Sequence, residues 1–479
     1  MTGAPLWTSD DAARATGGRC DDLWTCSGIA SDSRRIANGD LFIALHGPNF
    51  DGHDFVAAAL QDGAAAAMVS RRPDDVADDA PLLLVDDVLA ALGRLGAAGR
   101  ARATAKVIAL TGSVGKTSTK ETLKHALADQ GAVFASPASF NNHWGVPLSL
   151  AGLPPERDIA IIEVGMNHPG EISPLSRLVR PDVALVTTVE PVHLEYFESV
   201  TDIADAKAEI FDGMDHGGVA VLNNDNPFQK RLAAAARARN VSRIVCFGVH
   251  PHATVRLMGS TATDSGSRVA VEVDGRAIEF ELGAPGRHWV AIAVAALATV
   301  HAIDGDVARA AESLAGVRPL PGRGERHEIA VEGGAFTLTD ESYNANPTSM
   351  RAALEVLGGA AVGDGGRRIA VLGDMLELGE EGPVLHAALA EPVTRNAIDM
   401  VFTVGPQMTH LRDALPAALR AGHAVVSSDM VAPLMAVVGP GDVVMVKGSL
   451  GTRMAPLVAA LHVCKAKPAP RAAGNGWGG

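Results

Sequence analysis

The sequence predicts an α/β protein of three domains: a small N-terminal α/β domain, a central phosphate-loop domain on a mostly parallel sheet, and a C-terminal Rossmann-like domain. Three observations predict this. The chain has 479 residues, enough for about three domains at roughly 150 residues each. Short apolar runs recur between helical stretches, the pattern of strands covered on both faces. A run at 106–110 passes directly into Thr111-Gly-Ser-Val-Gly-Lys-Thr117, and a glycine-rich turn between strand and helix is the setting of a phosphate loop.

In residues 1–102, apolar runs at 41–45, 68–69 and 82–85 alternate with alanine-rich stretches such as 56–60, and 93–105 reads as a helix. A second domain, 103–318, opens with the strand 106–110 and the helix 119–128. Further strands are expected at 159–164, 183–187, 219–222 and 244–247. The uncharged stretch 289–303 is shorter than the roughly 18 residues of a membrane span and reads as a buried helix. After Arg318-Pro-Leu-Pro-Gly322 a third series begins, 319–465, with strands expected at 336–339, 369–372, 401–404 and 443–446. The Pro, Gly and Ala of 466–479 suggest a mobile tail.

Composition excludes several classes of function. Hydrophobic residues make up 47% and charged residues 20%, too apolar for a disordered chain. The net charge of −14 repels nucleic acid, so any phosphate site must be built locally. Cys20, Cys26, Cys246 and Cys464 are too few and too scattered for a disulfide scaffold or a zinc pattern. With no apolar signal segment near the start, the expectation is a cytoplasmic, monomeric protein with no membrane insertion.

Gly112, Ser113, Val114, Gly115, Lys116, Thr117 and Ser118 form the candidate nucleotide site. Backbone N–H groups cradle phosphates there, the lysine neutralises them, and the threonine hydroxyl is offered to Mg²⁺, which implies ATP or GTP. The longer pattern would place glycine at 110, where this chain has Leu110; the alternative is a plain glycine turn with a surface lysine. Glu163 ends a buried strand, a ligand-facing position in open sheets, and is a candidate Mg²⁺ ligand or else a solvated cap. His193 follows its own strand and would alone be structural. Lys207, 14 residues later, falls in what reads as the first turns of an amphipathic helix, where a lysine is ordinarily solvated.

Taken together these strings resemble the Mur ligase family, ATP-dependent amide-forming enzymes of peptidoglycan precursor synthesis, over nearly the whole chain. The resemblance implies a catalytic set of Lys116, Glu163, His193 and Lys207. It implies two Mg²⁺ ions held by Thr117, Glu163, His193 and a carbamylated Lys207. Arg323 would reach the nucleotide from the third domain, with Asp340 or Glu341 at the ribose. Phe140-Asn-Asn-His-Trp-Gly-Val-Pro147, Glu163-Val-Gly-Met-Asn-His-Pro-Gly-Glu-Ile172, Ser342-Tyr-Asn-Ala-Asn-Pro347 and Val371-Leu-Gly-Asp-Met-Leu-Glu-Leu-Gly379 are most similar to the branch that joins D-alanyl-D-alanine to UDP-N-acetylmuramoyl-tripeptide. That branch implies these two small-molecule substrates and an acyl-phosphate intermediate, with Asn141, Asn142, Tyr343, Asn344, Asn346 and Lys447 as substrate contacts. Ser31-Asp-Ser-Arg34, Gly39-Asp-Leu-Phe-Ile-Ala-Leu-His-Gly47 and Asp51-Gly-His-Asp-Phe55 resemble the family's UDP-sugar domain, with Ser33 and Arg34 as contacts.

The Asp-Asn-Pro-Arg signature of diaminopimelate-adding relatives is missing from the third domain, and Asp225-Asn-Pro-Phe228 reads as a turn after a strand. Two departures stand out: Ile292, where the family has an adenine-contacting asparagine, and Glu341, where many relatives have aspartate. Another ligase of the superfamily, such as the diaminopimelate-adding member or a folate polyglutamate ligase, and a catalytically silent nucleotide-dependent scaffold remain as alternatives.

Overall fold

The protein is described here from a computed structural model covering residues 4–263 and 265–463; the tail expected at 466–479 lies outside the described residues. Three large sheets, of five, nine and six strands, follow one another along the chain, with two two-stranded sheets in the N-terminal region.

In the nine-stranded sheet, Lys106–Thr111 lies between Ile159–Glu163 and Val183–Val186, parallel to both. Val133–Ala135 adds one parallel edge, and Val219–Asn223 and Arg243–Gly248 extend the other side. Alternate side chains of Lys106–Thr111 enter two separate cores. Ile108 and Leu110 pack with the helices Lys116–Leu127 and Arg287–Ala302, while Val107 and Ala109 pack with Ile172–Val179 and Val200–Ala208. Burial on both faces is why these strands are continuous apolar runs in the sequence. The helix expected at 289–303 is buried along nearly its whole length.

The sheet then continues where the sequence reading named no strands. Val255–Ala262, Ser267–Val273 and Arg276–Leu282 form an antiparallel extension. Asp274 and Gly275 turn the second hairpin with φ of +50° and +76°, the Asp-Gly chemistry of a tight hairpin turn. One face of Ser267–Val273 is more exposed than the other, so this segment alternates and lacks the apolar signature of the parallel strands.

In the N-terminal sheet, Gly28–Ala30, Asp40–Ile43, Ala66–Val69 and Leu82–Leu84 run parallel. The helix expected at 93–105 spans Val88–Arg102, because Asp87 accepts the Ala90 N–H at 2.7 Å and starts it earlier. It packs against Gly145–Ala151 of the central unit so closely that a Cβ on Gly99 would lie 2.2 Å from the Leu150 carbonyl oxygen. In the C-terminal sheet, Val443–Lys447 lies between Gly334–Glu341 and Arg368–Gly373, parallel to both.

Gly99→Ala should therefore lower stability by about 1–3 kcal/mol through overpacking, read as a lower urea midpoint. Gly93→Ala, on the same helix with nothing within 4 Å of its Cβ position, should be neutral or raise the midpoint slightly through helix propensity, about 1 kcal/mol at most.

Candidate active site

The carboxyl ends of the central and C-terminal sheets face a common cleft of about 1300 Å³, the location where open α/β sheets bind ligands. One wall is the phosphate loop. Gly115, at φ +81°, caps the helix Lys116–Leu127 without a side-chain hydrogen bond, so the first helical N–H groups are available to an anion. A Cβ on Gly112, at φ +149°, would lie 1.9 Å from Thr187 Oγ1, which restricts that position to glycine. Thr187 Oγ1 donates to the Val114 carbonyl at 2.7 Å, and Ser113 Oγ donates to the Glu190 carbonyl at 3.0 Å while accepting the Glu190 N–H at 2.9 Å. The loop is thus shaped by neighbouring protein groups. Lys116 Nζ donates to the Gly112 carbonyl at 2.7 Å. Surrounding protein lowers its pKa; Glu163 opposes that shift and Arg323 adds to it.

Glu163 is 1% exposed. Its carboxylate accepts from Thr117 Oγ1 at 2.9 Å and Asn141 Nδ2 at 2.8 Å. No three His, Cys, Asp or Glu residues converge as a metal cage among the described residues. One carboxylate and one hydroxyl beside a phosphate loop instead fit Mg²⁺, which takes one or two carboxylates and completes its octahedron with water and substrate phosphate.

His193 lines the cleft at φ +56°, with Nδ1 2.5 Å from Glu377 Oε2. That hydrogen bond holds the Glu377 carboxyl below its usual pKa and leaves the other ring nitrogen of His193 as a possible ligand atom. Lys207 corrects the reading made from sequence. Ser199 caps Val200–Ala208, so Lys207 falls in the last turn of the helix, and it is 2% exposed where a solvated lysine was the default. It is not among the residues that line the cleft. Its ammonium has no hydrogen bond or ion pair among the described residues, and burial, with Lys116 nearby, lowers its pKa far below the usual lysine range.

From the C-terminal unit, Arg323 Nη2 donates to Ser139 Oγ at 3.2 Å, and its guanidinium lies 3.9 Å from the centre of the Tyr343 ring. Lys447, 3% exposed, donates to Glu341 Oε2 and the Asn344 carbonyl, both at 3.0 Å. Asn142 and Asn346 line the cleft while capping turns: Asn142 Oδ1 accepts the Gly145 N–H and Asn346 Oδ1 accepts the Ser349 N–H. Two groups of candidates do not line this cleft. Asp340 is not among the lining residues, and its oxygens accept the Gly322 and Ser342 N–H groups. Ser33 and Arg34 do not line the cleft, and Arg34 is exposed and paired with Asp32 at 2.8 Å. Asp225 accepts the Val249 and His250 N–H groups, the turn role expected of that string.

Sequence reasoning missed Ser139, Glu190 and Glu377. Glu190 carried one usable signal, an acid just past the strand Val183–Val186, the feature that marked Glu163.

Residues 110–300 match the Mur ligase middle domain, 322–450 the Mur ligase, glutamate ligase domain, and 25–100 the Mur ligase family, catalytic domain. The UDP-N-acetylmuramoyl-tripeptide--D-alanyl-D-alanine ligase of Escherichia coli (strain K12) is 36% identical over 444 residues, 91% of this chain and 94% of its own. The chain belongs to the Mur ligase family. Within the family, the structure is similar to MurF from Acinetobacter baumannii, at a TM-score of 0.81 and 30% identity over 96% of this chain and 99% of that one. It is also similar to MurF ligase from Thermotoga maritima in complex with ADP, at a TM-score of 0.73 and 26% identity over 91% and 97%.

Glu163→Gln keeps the shape of the buried side chain and removes its charge. Calorimetry of ADP binding should show the Mg²⁺-dependent gain in affinity fall by about tenfold or more, since charged hydrogen-bonding groups contribute roughly 1.5–3 kcal/mol. Metal-free ADP binding should hold or strengthen, because the substitution removes a negative charge from beside the phosphate loop.

Proposed function

We propose that the chain joins D-alanyl-D-alanine to UDP-N-acetylmuramoyl-tripeptide with consumption of ATP, the activity for which its Escherichia coli relative is named. One observation carries this reading. A single cleft is lined by the phosphate loop with Glu163, by Arg323, Tyr343 and Lys447 of the C-terminal unit, and by Arg94 of the N-terminal unit. The three units, taken as 1–102, 103–318 and 319–465, thus offer a nucleotide loop and two further walls to one chamber.

A carboxylate is a poor electrophile at neutral pH, and ATP supplies the activation. A tripeptide carboxylate oxygen attacks the γ-phosphorus, the bond to the β–γ bridging oxygen breaks, and ADP leaves with that electron pair. The D-alanyl-D-alanine amine then attacks the acyl carbon, loses a proton, and expels inorganic phosphate. Both steps bring anions together, so the protein's main task is charge neutralisation and positioning. Lys116 and the N–H groups at the start of Lys116–Leu127 suit the transferring phosphate. Lys447, buried and paired with Glu341, is fixed enough to orient a substrate carboxylate. Closure of the C-terminal unit over the loop would keep water from the activated acyl group.

Thr117 and Glu163 would hold one Mg²⁺, and His193 with Lys207 a second; such ions supply Lewis-acid charge at the phosphate oxygens. Lys207 suits that role only as a carbamate, because an ammonium repels a cation. Its depressed pKa favours the neutral amine, whose lone pair can attack CO₂ and lose a proton to give the anionic carbamate. Among the described residues no helix is long and apolar enough to cross a membrane.

Phosphate release should require ATP, Mg²⁺, UDP-N-acetylmuramoyl-tripeptide and D-alanyl-D-alanine together, with a pentapeptide product by mass; nucleotide binding without acceptor-dependent turnover would overturn the proposal. With ¹³C-bicarbonate, wild-type protein should show a carbamate carbon resonance that Lys207→Ala lacks. Ile292 lines the cleft beside the Gly115 turn and offers no hydrogen bond to a base. Ile292→Asn should therefore raise the ATP-to-GTP ratio of kcat/KM by about fivefold, the worth of a neutral hydrogen bond of about 1 kcal/mol.

A further inference from the structure

We propose that Ser139 is a positioning residue that carries the placement of the C-terminal unit to the phosphate loop. The inference rests on the ligase reading and deepens it. A serine hydroxyl has one proton and two lone pairs. Arg323 Nη2 at 3.2 Å and Tyr343 Oη at 3.0 Å both donate to Ser139 Oγ, and both come from the C-terminal unit. With its lone pairs taken, Ser139 has its proton left for Thr117 Oγ1, 3.2 Å away. Thr117 in turn donates to Glu163 Oε2 at 2.9 Å. The chain of hydrogen bonds therefore has one direction, from the C-terminal unit through Ser139 to the buried carboxylate. It fixes the Thr117 proton toward Glu163 and keeps a lone pair of Thr117 free for a ligand.

The loop carrying Ser139 is held firmly enough to transmit such an effect. Lys120, one turn beyond Lys116 on the same helix and 0% exposed, donates to the Ser136 carbonyl at 2.6 Å and to the Ala138 carbonyl. Ala138 sits at φ +44°, a left-handed conformation that for a residue with a Cβ persists only where its surroundings over-determine it. Ser136 Oγ accepts the Glu163 N–H at 3.2 Å, so the loop is tied to the strand that bears the carboxylate. Ser139 is therefore fixed relative to Thr117 and Glu163, and the movable partners of its hydroxyl are Arg323 and Tyr343.

The test uses the full chain with Ser139→Ala, Tyr343→Phe and the double variant, measuring acceptor-dependent phosphate release, ADP–Mg²⁺ affinity by calorimetry, and hydrogen exchange of the segments around 323 and 343 with ADP–Mg²⁺ bound. Ser139→Ala should lower kcat at least about tenfold, with KM for ATP and ADP affinity within about threefold, the pattern of an interaction that matters in the transition state. Tyr343→Phe should lower kcat alone but add little to Ser139→Ala, because its acceptor is already gone. Exchange around 323 and 343 should be faster in Ser139→Ala. An unchanged kcat, additive losses or unchanged exchange would each overturn the inference. If the wild-type chain released no acceptor-dependent phosphate, the ligase reading would fall, and the exchange comparison would then decide the role of Ser139 alone.

Discussion

The site is organised around the buried carboxylate of Glu163, which among the described residues has no basic side chain in hydrogen-bond contact. Glu163 is hydrogen-bonded by the neutral Thr117 hydroxyl and Asn141 amide, and an ionised carboxylate out of water is costly unless its charge is compensated. Lys116 supplies long-range attraction, but its ammonium donates to the Gly112 carbonyl instead. Under the proposed function that compensation comes from a Mg²⁺ ion bound together with the nucleotide phosphates. The same need fits the surroundings: a glycine loop whose first helical N–H groups are available to an anion, and a threonine hydroxyl against the carboxylate.

Four side-chain hydrogen bonds bring the C-terminal unit to this centre, and each uses a residue just beyond the end of a central strand or in the loop beside it. Ser139 receives Arg323 and Tyr343, Glu190 Oε2 accepts from Thr348 Oγ1 at 3.2 Å, and His193 meets Glu377. His193 and Glu377 both have positive φ, +56° and +61°, a conformation that costs roughly 1–2 kcal/mol for residues other than glycine. The two side chains meet at 2.5 Å where both backbones adopt this conformation.

What could be read from sequence followed from constraints that act locally. The phosphate loop was legible because close approach of backbone to ligand and to Thr187 forces glycine at Gly112, and the parallel strands because burial on both faces makes them apolar throughout. The antiparallel strands after 254 were missed because one face meets solvent, although Asp274-Gly275 marked their turn. Ser139 was illegible for a different reason. Its partners lie 184 and 204 residues away, so an ordinary serine in a Ser-Pro-Ala-Ser stretch gains its role only through the tertiary fold. Lys207 was misread because its neighbours Ile203, Ala204, Ala206 and Ala208 are all buried, leaving little of that short helix turned to water.

Asp340 and Glu341 show how a pair of adjacent acids is divided by strand geometry. They end Gly334–Glu341, and successive side chains of a strand point to opposite faces. Asp340 therefore closes the turn that presents Arg323, accepting the Gly322 and Ser342 N–H groups. Glu341 faces the cleft and, directly across the ladder from Lys447, pairs with its ammonium. Of the two, Glu341 lines the cleft, and its contact with Lys447 requires reach as well as charge. The methylene by which it exceeds aspartate lets the carboxylate span the strand spacing to a lysine that is itself buried. The departure at this position is thus compatible with an intact site because Lys447 meets the longer side chain at 3.0 Å.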